Sequence, residues 1–600
     1  MEETKYQEVW NLDSLFQGGS NSRSFQAHLE MLRIRLAKLE NDLGNFTPSQ
    51  AEDTSGRIVE LLNQIGKVRE YLSQATSFVT CILAQDSKEQ TASSLQSELE
   101  SISARFESAT LSMKNNLAAI EEESWQEFLD KGRVSNYEFI LKEWRRNGKA
   151  RLSKKEESLL TNLTADWYHS WGGFYKALIN DLTVQVSIDG EPNELSIGQA
   201  INLRSHPDEE VRKEAHEALE QTWAEKENLF ARILNHIAGF RLQVYKKRGI
   251  EDVLEEPLRE NQIQQETLHT MWRAVTNNKQ PFTAYLNEKA RILGKRKLED
   301  SDFWAPISES KNKVSYQEAV DFIIKHLGRF GPELENFVRG AFEKGWIEAE
   351  NRPNKSIVAF CAGFPLTEES RIFMTYGGTF KDVLTLTHEL GHAFHNHAMK
   401  QVDGMNKQYP MSLAETASTF AEMVIFDAAI KAADSKEEKL FLLDEKLKRS
   451  VMNFMNIHSR FLFEGKFYQE RKKGTISAGR LNELMEEALD KGYQGSLEGG
   501  SAHSWIWTPH FYITNSPFYN FPYTFGYLFS LGLYANAKEG GKSFEQAYLA
   551  LLRDSGRMST EQLAAKHLGE DITSETFWEK GLEMCRKDVE EFCHLSAMLF

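Results

Sequence analysis

Through the first third of this chain apolar residues recur every three or four positions, a spacing that only helices satisfy. Leu29, Leu32, Leu36, Leu39 and Leu43 form one run, and Ile58, Leu62, Ile65, Val68 and Leu72 a second. Leu95, Leu99, Ile102 and Phe106 form a third. Lys, Glu, Arg and Gln fill the faces between. Each run is short and broken by Gly- or Ser-rich turns, so the reading is helices packed in a globular lobe rather than an extended coiled coil.

Strand signals are few. Leu182–Ile188 alternates polar and apolar residues, and Asp189-Gly190 turns it toward a second short strand near Leu195. Arg371-Ile372-Phe373-Met374-Thr375-Tyr376 is rich in strand formers, closes on Gly377-Gly378, and is expected to be an edge strand. Pro257 and Asn277-Asn278 read as connectors within helical regions. The fold class expected is mainly α with a small β element.

Composition narrows the partners. In 600 residues, 26% are charged and 41% apolar, which describes a soluble globular chain. A net charge of −17 argues against nucleic acid or an anionic membrane as a partner. No apolar run is long enough to span a bilayer, and Met1-Glu2-Glu3-Thr4-Lys5 has no apolar leader, so the expected location is cytoplasmic. Cys81, Cys361, Cys585 and Cys593 include no Cys-x-x-Cys pair, and neither a disulfide framework nor a thiolate metal site is expected.

The chemistry concentrates at His388-Glu389-Leu390-Gly391-His392. On a helix, imidazoles at i and i+4 lie one above the other and can share one Zn²⁺, leaving Glu389 free as a base. Leu384, Leu386, Leu390, Ala393 and Phe394 supply the apolar side of a buried helix, and Asp382 suits its first turn. A third protein ligand is needed. Glu415 and Glu422 lie seven residues apart on the next helical stretch and project from about the same face. Ser412-x-x-Glu415 also reads as a capping box, which would occupy Glu415 with the backbone. Spacing alone leaves the two carboxylates as equal contenders. His395, about 10 Å up the axis from His388, suits a supporting or core role, and His397 points elsewhere.

These residues carry a resemblance. His388–His395, preceded by Tyr376-Gly377-Gly378-Thr379, is similar to the signature of the oligoendopeptidase F and thimet oligopeptidase group of zinc metallopeptidases. Ser412-Leu413-Ala414-Glu415-Thr416-Ala417-Ser418 resembles the segment carrying that group's glutamate ligand, and Trp10–Phe16 resembles the start of oligoendopeptidase F chains. The resemblance implies His388, His392 and Glu415 as ligands of one Zn²⁺ per chain, with Glu422 orienting a ligand histidine. It implies Glu389 as general base, and Tyr527 with His510 as donors to the oxyanion. Tyr519 and Tyr523, in the same aromatic stretch, read equally as core packing.

It also implies two helical lobes facing across a deep substrate channel, with a boundary near residue 195: residues 1–195 as an N-terminal helical lobe, 196–600 as the catalytic domain. The expected activity is hydrolysis of internal bonds in short unstructured peptides. One rival is a dipeptidyl carboxypeptidase, with Arg371 or Lys355 as the cation that captures a substrate C-terminus. The other is a non-catalytic helical binding protein that retains the motif. Four glycines between Gly492 and His503 predict a mobile loop, or equally a plain connector.

Overall fold

The computed structural model describes residues 5–46, 54–130, 134–149, 152, 154–188, 190–308, 313–356 and 358–600. The polar start and Asp189 thus lie outside the described residues. Helices account for 71% of the chain and the sheets are small. Among the described residues, no helix is long and apolar enough to cross a membrane. The four cysteines are free thiols.

The three apolar runs become α1 (Arg23–Gly44), α2 (Thr54–Gln85) and α3 (Gln90–Ala118). Every residue named in those runs is buried in one core. Ser22 caps α1 by accepting from Phe25 N at 3.3 Å.

The chain divides into two compact units, each assembled from three stretches. Unit 1 is Met1–Arg151, Asn312–Ala428 and Asn536–Glu570; unit 2 is Leu152–Lys311, Ala429–Ala535 and Asp571–Phe600. The cut expected near residue 195 falls inside unit 2. Within unit 1, the N-terminal segment docks on the sheet. Trp10 packs on Phe373 with ring centroids 5.6 Å apart, and its Nε1–H donates to Gln85 at 2.6 Å. Arg371 donates to Asn11 O at 3.0 Å and Ser14 Oγ at 2.8 Å. These contacts bind α1–α3 to the sequence-distant half of their own unit.

That sheet has three strands, β1 (Ile347–Glu348), β2 (Phe360–Phe364) and β3 (Glu369–Phe373), in the order β1-β3-β2. β3 runs parallel to β1 and antiparallel to β2, with Cys361 opposite Ile372 and Ala362 opposite Arg371. The strand leading to the histidine helix is therefore central. The edges belong to β1 and β2, neighbours that sequence reading did not anticipate. Beyond Phe373 the chain stays extended, with Met374 N donating to Glu348 O and Tyr376 N to Ala349 O, both at 2.9 Å. Gly378, at φ 85°, makes the turn that follows.

Unit 2 is also mainly helical, with a 40-residue helix at Glu209–Arg248. Its hairpin pairs Thr183–Ile188 with Glu191–Ser196 in antiparallel register, as the alternation predicted. Its core contains a charge cluster. The fully buried Asp444 accepts from Tyr285 OH at 2.6 Å and from Lys289 and Lys448 at 3.2 Å. Burial alone would raise its carboxyl, but the two ammonium groups hold it below the usual carboxylate range. Asp444→Ala strands Lys289 in the core, whereas Lys448 keeps its pairing with Glu445. The expected loss is about 3–5 kcal/mol by urea unfolding, and a variant as stable as the parent contradicts this account of the cluster.

Candidate metal centre

The histidine helix, α4 (Phe380–Ala398), starts with a reciprocal cap between Thr379 and Asp382. The Asp382 carboxylate also accepts from the backbone N–H of Gly377 at 3.1 Å, which fastens the glycine turn to the helix. Leu384, Leu386, Leu390, Ala393 and Phe394 are buried. His388 and His392 therefore project from the remaining side, with their Nε2 atoms 3.1 Å apart.

Glu415 completes the group, and the expected capping box does not form. Pro410 is the N-cap of the single turn Met411–Ala414, and Glu415 sits at the joint with the next helix, α5 (Thr416–Ala432). The joint releases its side chain from the backbone. Its carboxylate lies 3.3 Å from His388 Nε2 and 3.6 Å from His392 Nε2, and accepts from Ser418 Oγ at 2.9 Å. Among the described residues this is the one group of three potential metal ligands, with all ligand atoms within 4.8 Å of one another. Two ligand nitrogens at about 2.0–2.1 Å from a tetrahedral zinc are about 3.3 Å apart, so the donor types and spacing fit Zn²⁺.

Gly391 allows this approach, a role the sequence reading missed. A Cβ at Gly391 would lie 2.5 Å from Ser418 Cα and 2.6 Å from Ala417 O. A glycine inside a helix costs stability relative to alanine, and that cost was the available signal.

Glu422, one of the two contenders for third ligand, instead meets the other nitrogen of His388: its Oε1 accepts from Nδ1 at 2.5 Å. That bond selects the tautomer whose Nε2 lone pair faces Glu415. Burial, with the neighbouring His388, lowers His392 to about 4 against the opposing pull of Glu415, which leaves a neutral ring able to ligate a metal. The side chain of Glu389, a residue 6% exposed, has no hydrogen bond or ion pair among the described residues. Burial raises its carboxyl to about 7, with His388 pulling down and Glu415 pushing up. His395 lies apart in the core, 2.9 Å from Ser555 Oγ and stacked on Tyr409, and His397 pairs with Glu333 at 2.9 Å.

The aromatic stretch belongs to unit 2. His510 Nδ1 is 2.8 Å from Asn520 Oδ1, and its ring faces Tyr519 and Tyr523 with centroids 5.4 and 5.5 Å away. All three rings are half-buried. Tyr527, named from the resemblance, stands one helical turn past Tyr523 and is 5% exposed. Its hydroxyl lies 2.9 Å from Ser450 Oγ and its ring packs on Phe454, so it is separate from the His510 group. The glycine-rich segment is anchored at its far end, where His503 lies between Glu220 at 2.8 Å and Glu227 at 3.2 Å.

A helix presenting two imidazoles to a carboxylate from the next helix is a hydrolase arrangement, and the comparisons specify it. The profile described as Peptidase family M3 matches residues 202–584, and one described as Oligopeptidase F matches residues 116–183. The chain belongs to peptidase family M3 and is a peptidase. It is 24% identical to Oligopeptidase PepF of Bacillus subtilis, over 98% of this chain and 87% of that one. It is 23% identical to the chromosomal Oligoendopeptidase F of Lactococcus lactis subsp. cremoris, over 97% and 96%. Its fold matches a solved chain from Chlamydophila abortus with TM-score 0.83 at 21% identity, covering 98% of each chain. It also matches oligoendopeptidase-F from Enterococcus faecium with TM-score 0.70 at 18% identity, over 96% and 100%.

Gly391→Ala tests the close approach. The variant is expected to stay folded but bind Zn²⁺ at least tenfold more weakly in a chelator competition, because the added methyl pushes Glu415 away from the imidazoles. Unchanged affinity contradicts the role given to Gly391.

Proposed function

We propose that this chain is a zinc endopeptidase acting on short, unstructured peptides. The observation that carries the reading is the convergence of His388 Nε2, His392 Nε2 and the Glu415 carboxylate beside a buried, unpaired Glu389. Those three side chains would hold one Zn²⁺, which when bound supplies Lewis acidity toward a peptide carbonyl and brings the pKa of water toward neutrality.

The protein's own groups do the rest. Glu389 takes the proton from the attacking water and passes it to the leaving nitrogen, a task its raised pKa suits. Glu422 holds the His388 ring in its ligating orientation. The edge strand β2 gives an extended peptide a backbone to pair with. Donors to the oxyanion come from the His510 segment. Because Tyr527 is buried and lies apart from the His510 group, the half-buried Tyr519 and Tyr523 beside His510 are better supported than Tyr527 for that part.

The carboxypeptidase alternative needs a cation for the substrate C-terminus, and neither candidate is available. Arg371 is fully buried, donates to Asn11 O and Ser14 Oγ, and pairs with Glu369 at 2.9 Å. Lys355 pairs with Glu348 at 3.1 Å and donates to Glu350 O and Met374 O.

Glu389→Gln is expected to keep stoichiometric zinc and lose several orders of magnitude in kcat; a fully active variant removes Glu389 from the mechanism. Mass-spectrometric mapping of products from matched free-acid and C-terminally amidated peptides is expected to give the same internal cleavages. Cleavage of the free acid alone, two residues from its end, would instead favour the exopeptidase. Tyr527→Phe is expected to leave kcat within a few-fold, whereas Tyr519→Phe or Tyr523→Phe lowers it about 10²-fold or more; the reverse order restores Tyr527 as the donor.

A further inference from the structure

Unit 1 contains a cavity of about 260 Å³ that the proposed reaction does not use. The face of α4 that carries Glu389 continues through Ala393 and Asn396, and both line it together with Lys400 from the turn after the helix. Across from them stand Arg69 of α2 and the turn between β2 and β3. Asn396 fixes that hairpin to the helix by donating to Ser370 Oγ at 3.2 Å.

Charge pairing within the lining is selective. Glu70 is satisfied by Lys67 at 2.8 Å and Lys407 at 3.0 Å, Glu369 by Arg371 at 2.9 Å, and His397 by Glu333 at 2.9 Å. Arg69, Lys400 and Glu368 make no ion pair within 4 Å among the described residues, although the Glu107 and Asp403 carboxylates act on Arg69 from farther away. Arg69 rests its Nη1 on two carbonyls, Gly404 O at 3.3 Å and Met405 O at 3.4 Å, and its buried Nε–H has no acceptor. A guanidinium this enclosed normally faces a carboxylate or phosphate. Glu368 is held at φ 55°, a conformation unfavourable for a non-glycine residue. Phe337, Trp346 and Phe364 supply a contiguous apolar wall.

Two cations, an exposed glutamate at the rim and an aromatic wall line a space the size of one large amino acid. We propose that this cavity is a binding site for a small α-amino, α-carboxylate zwitterion with an apolar side chain. Its carboxylate meets Arg69 and Lys400, its ammonium group meets Glu368, and its side chain lies against Phe337, Trp346 and Phe364. Free amino acids and dipeptides released by peptide hydrolysis have this chemistry; describing the ligand as a product rests on the peptidase reading, whereas the site does not.

The test is calorimetric titration of chelator-treated protein, in which the metal centre is empty, with L-phenylalanine, N-acetyl-L-phenylalanine and L-phenylalaninamide. L-phenylalanine is expected to bind once per chain, and each derivative, lacking one charge, about tenfold or more weakly. Arg69→Met is expected to weaken L-phenylalanine while leaving the amide unchanged; Glu368→Gln is expected to weaken L-phenylalanine while leaving the acetyl derivative unchanged. No binding to the chelated protein, or equal binding of all three compounds, overturns the proposal on the parent chain alone. Chelated protein has no metal chemistry, so these outcomes leave the peptidase reading untouched, and an active Glu389→Gln enzyme would leave this site untouched.

Discussion

Everything at the metal centre depends on how closely two helix backbones meet at Gly391. Three side chains that are all lone-pair donors converge there, and they gain nothing from one another without a cation between them. Attraction among those three therefore cannot bring α4 and α5 together. The His388–Glu422 hydrogen bond and backbone contact do, since the hydrogen of Gly391 faces Ser418 Cα and Ala417 O where a methyl group would overlap both. The break between Ala414 and Thr416 then turns Glu415 out of its helix and into the space that contact leaves.

Around this contact the surrounding groups settle the protonation of each member. Glu422 fixes the proton of His388 on Nδ1, and burial keeps His392 neutral, so both Nε2 lone pairs face inward. Glu389 lies beside them in an enclosed, unpaired position that raises its carboxyl to about 7. The same helix thus carries the two imidazoles on one face and the buried Glu389 carboxyl on the next. Further along that second face, Asn396 ties the β2–β3 hairpin to the helix, and the cavity with its unpaired charges lies beyond.

Much of this was legible in the sequence because it is local. Helical spacing gave α1–α3 and the stacked imidazoles, and alternation gave the hairpin at Thr183–Ser196. What depends on distant segments was not legible. Ser412-x-x-Glu415 satisfied the capping pattern, yet Pro410 starts the turn and Ser418 takes the carboxylate. Arg371–Phe373 looked like an edge strand because the run that pairs outside it, Phe360–Phe364, carries a weak signal of its own. A division near residue 195 was the simplest cut, but Trp10 and Asn11 bind the N-terminal helices to a sheet more than 300 residues on. Tyr527 was named from the resemblance alone, and its packing against Ser450 and Phe454, which sets it apart from Tyr523, depends on distant segments.

Anomalous diffraction at the zinc absorption edge, on crystals of the zinc-loaded protein, tests the central claim most directly. The account predicts one strong peak within bonding distance of His388 Nε2, His392 Nε2 and the Glu415 carboxylate, with Glu422 on the far side of the His388 ring. A peak ligated by Glu422 in place of Glu415, or no peak at the two histidines, would contradict it.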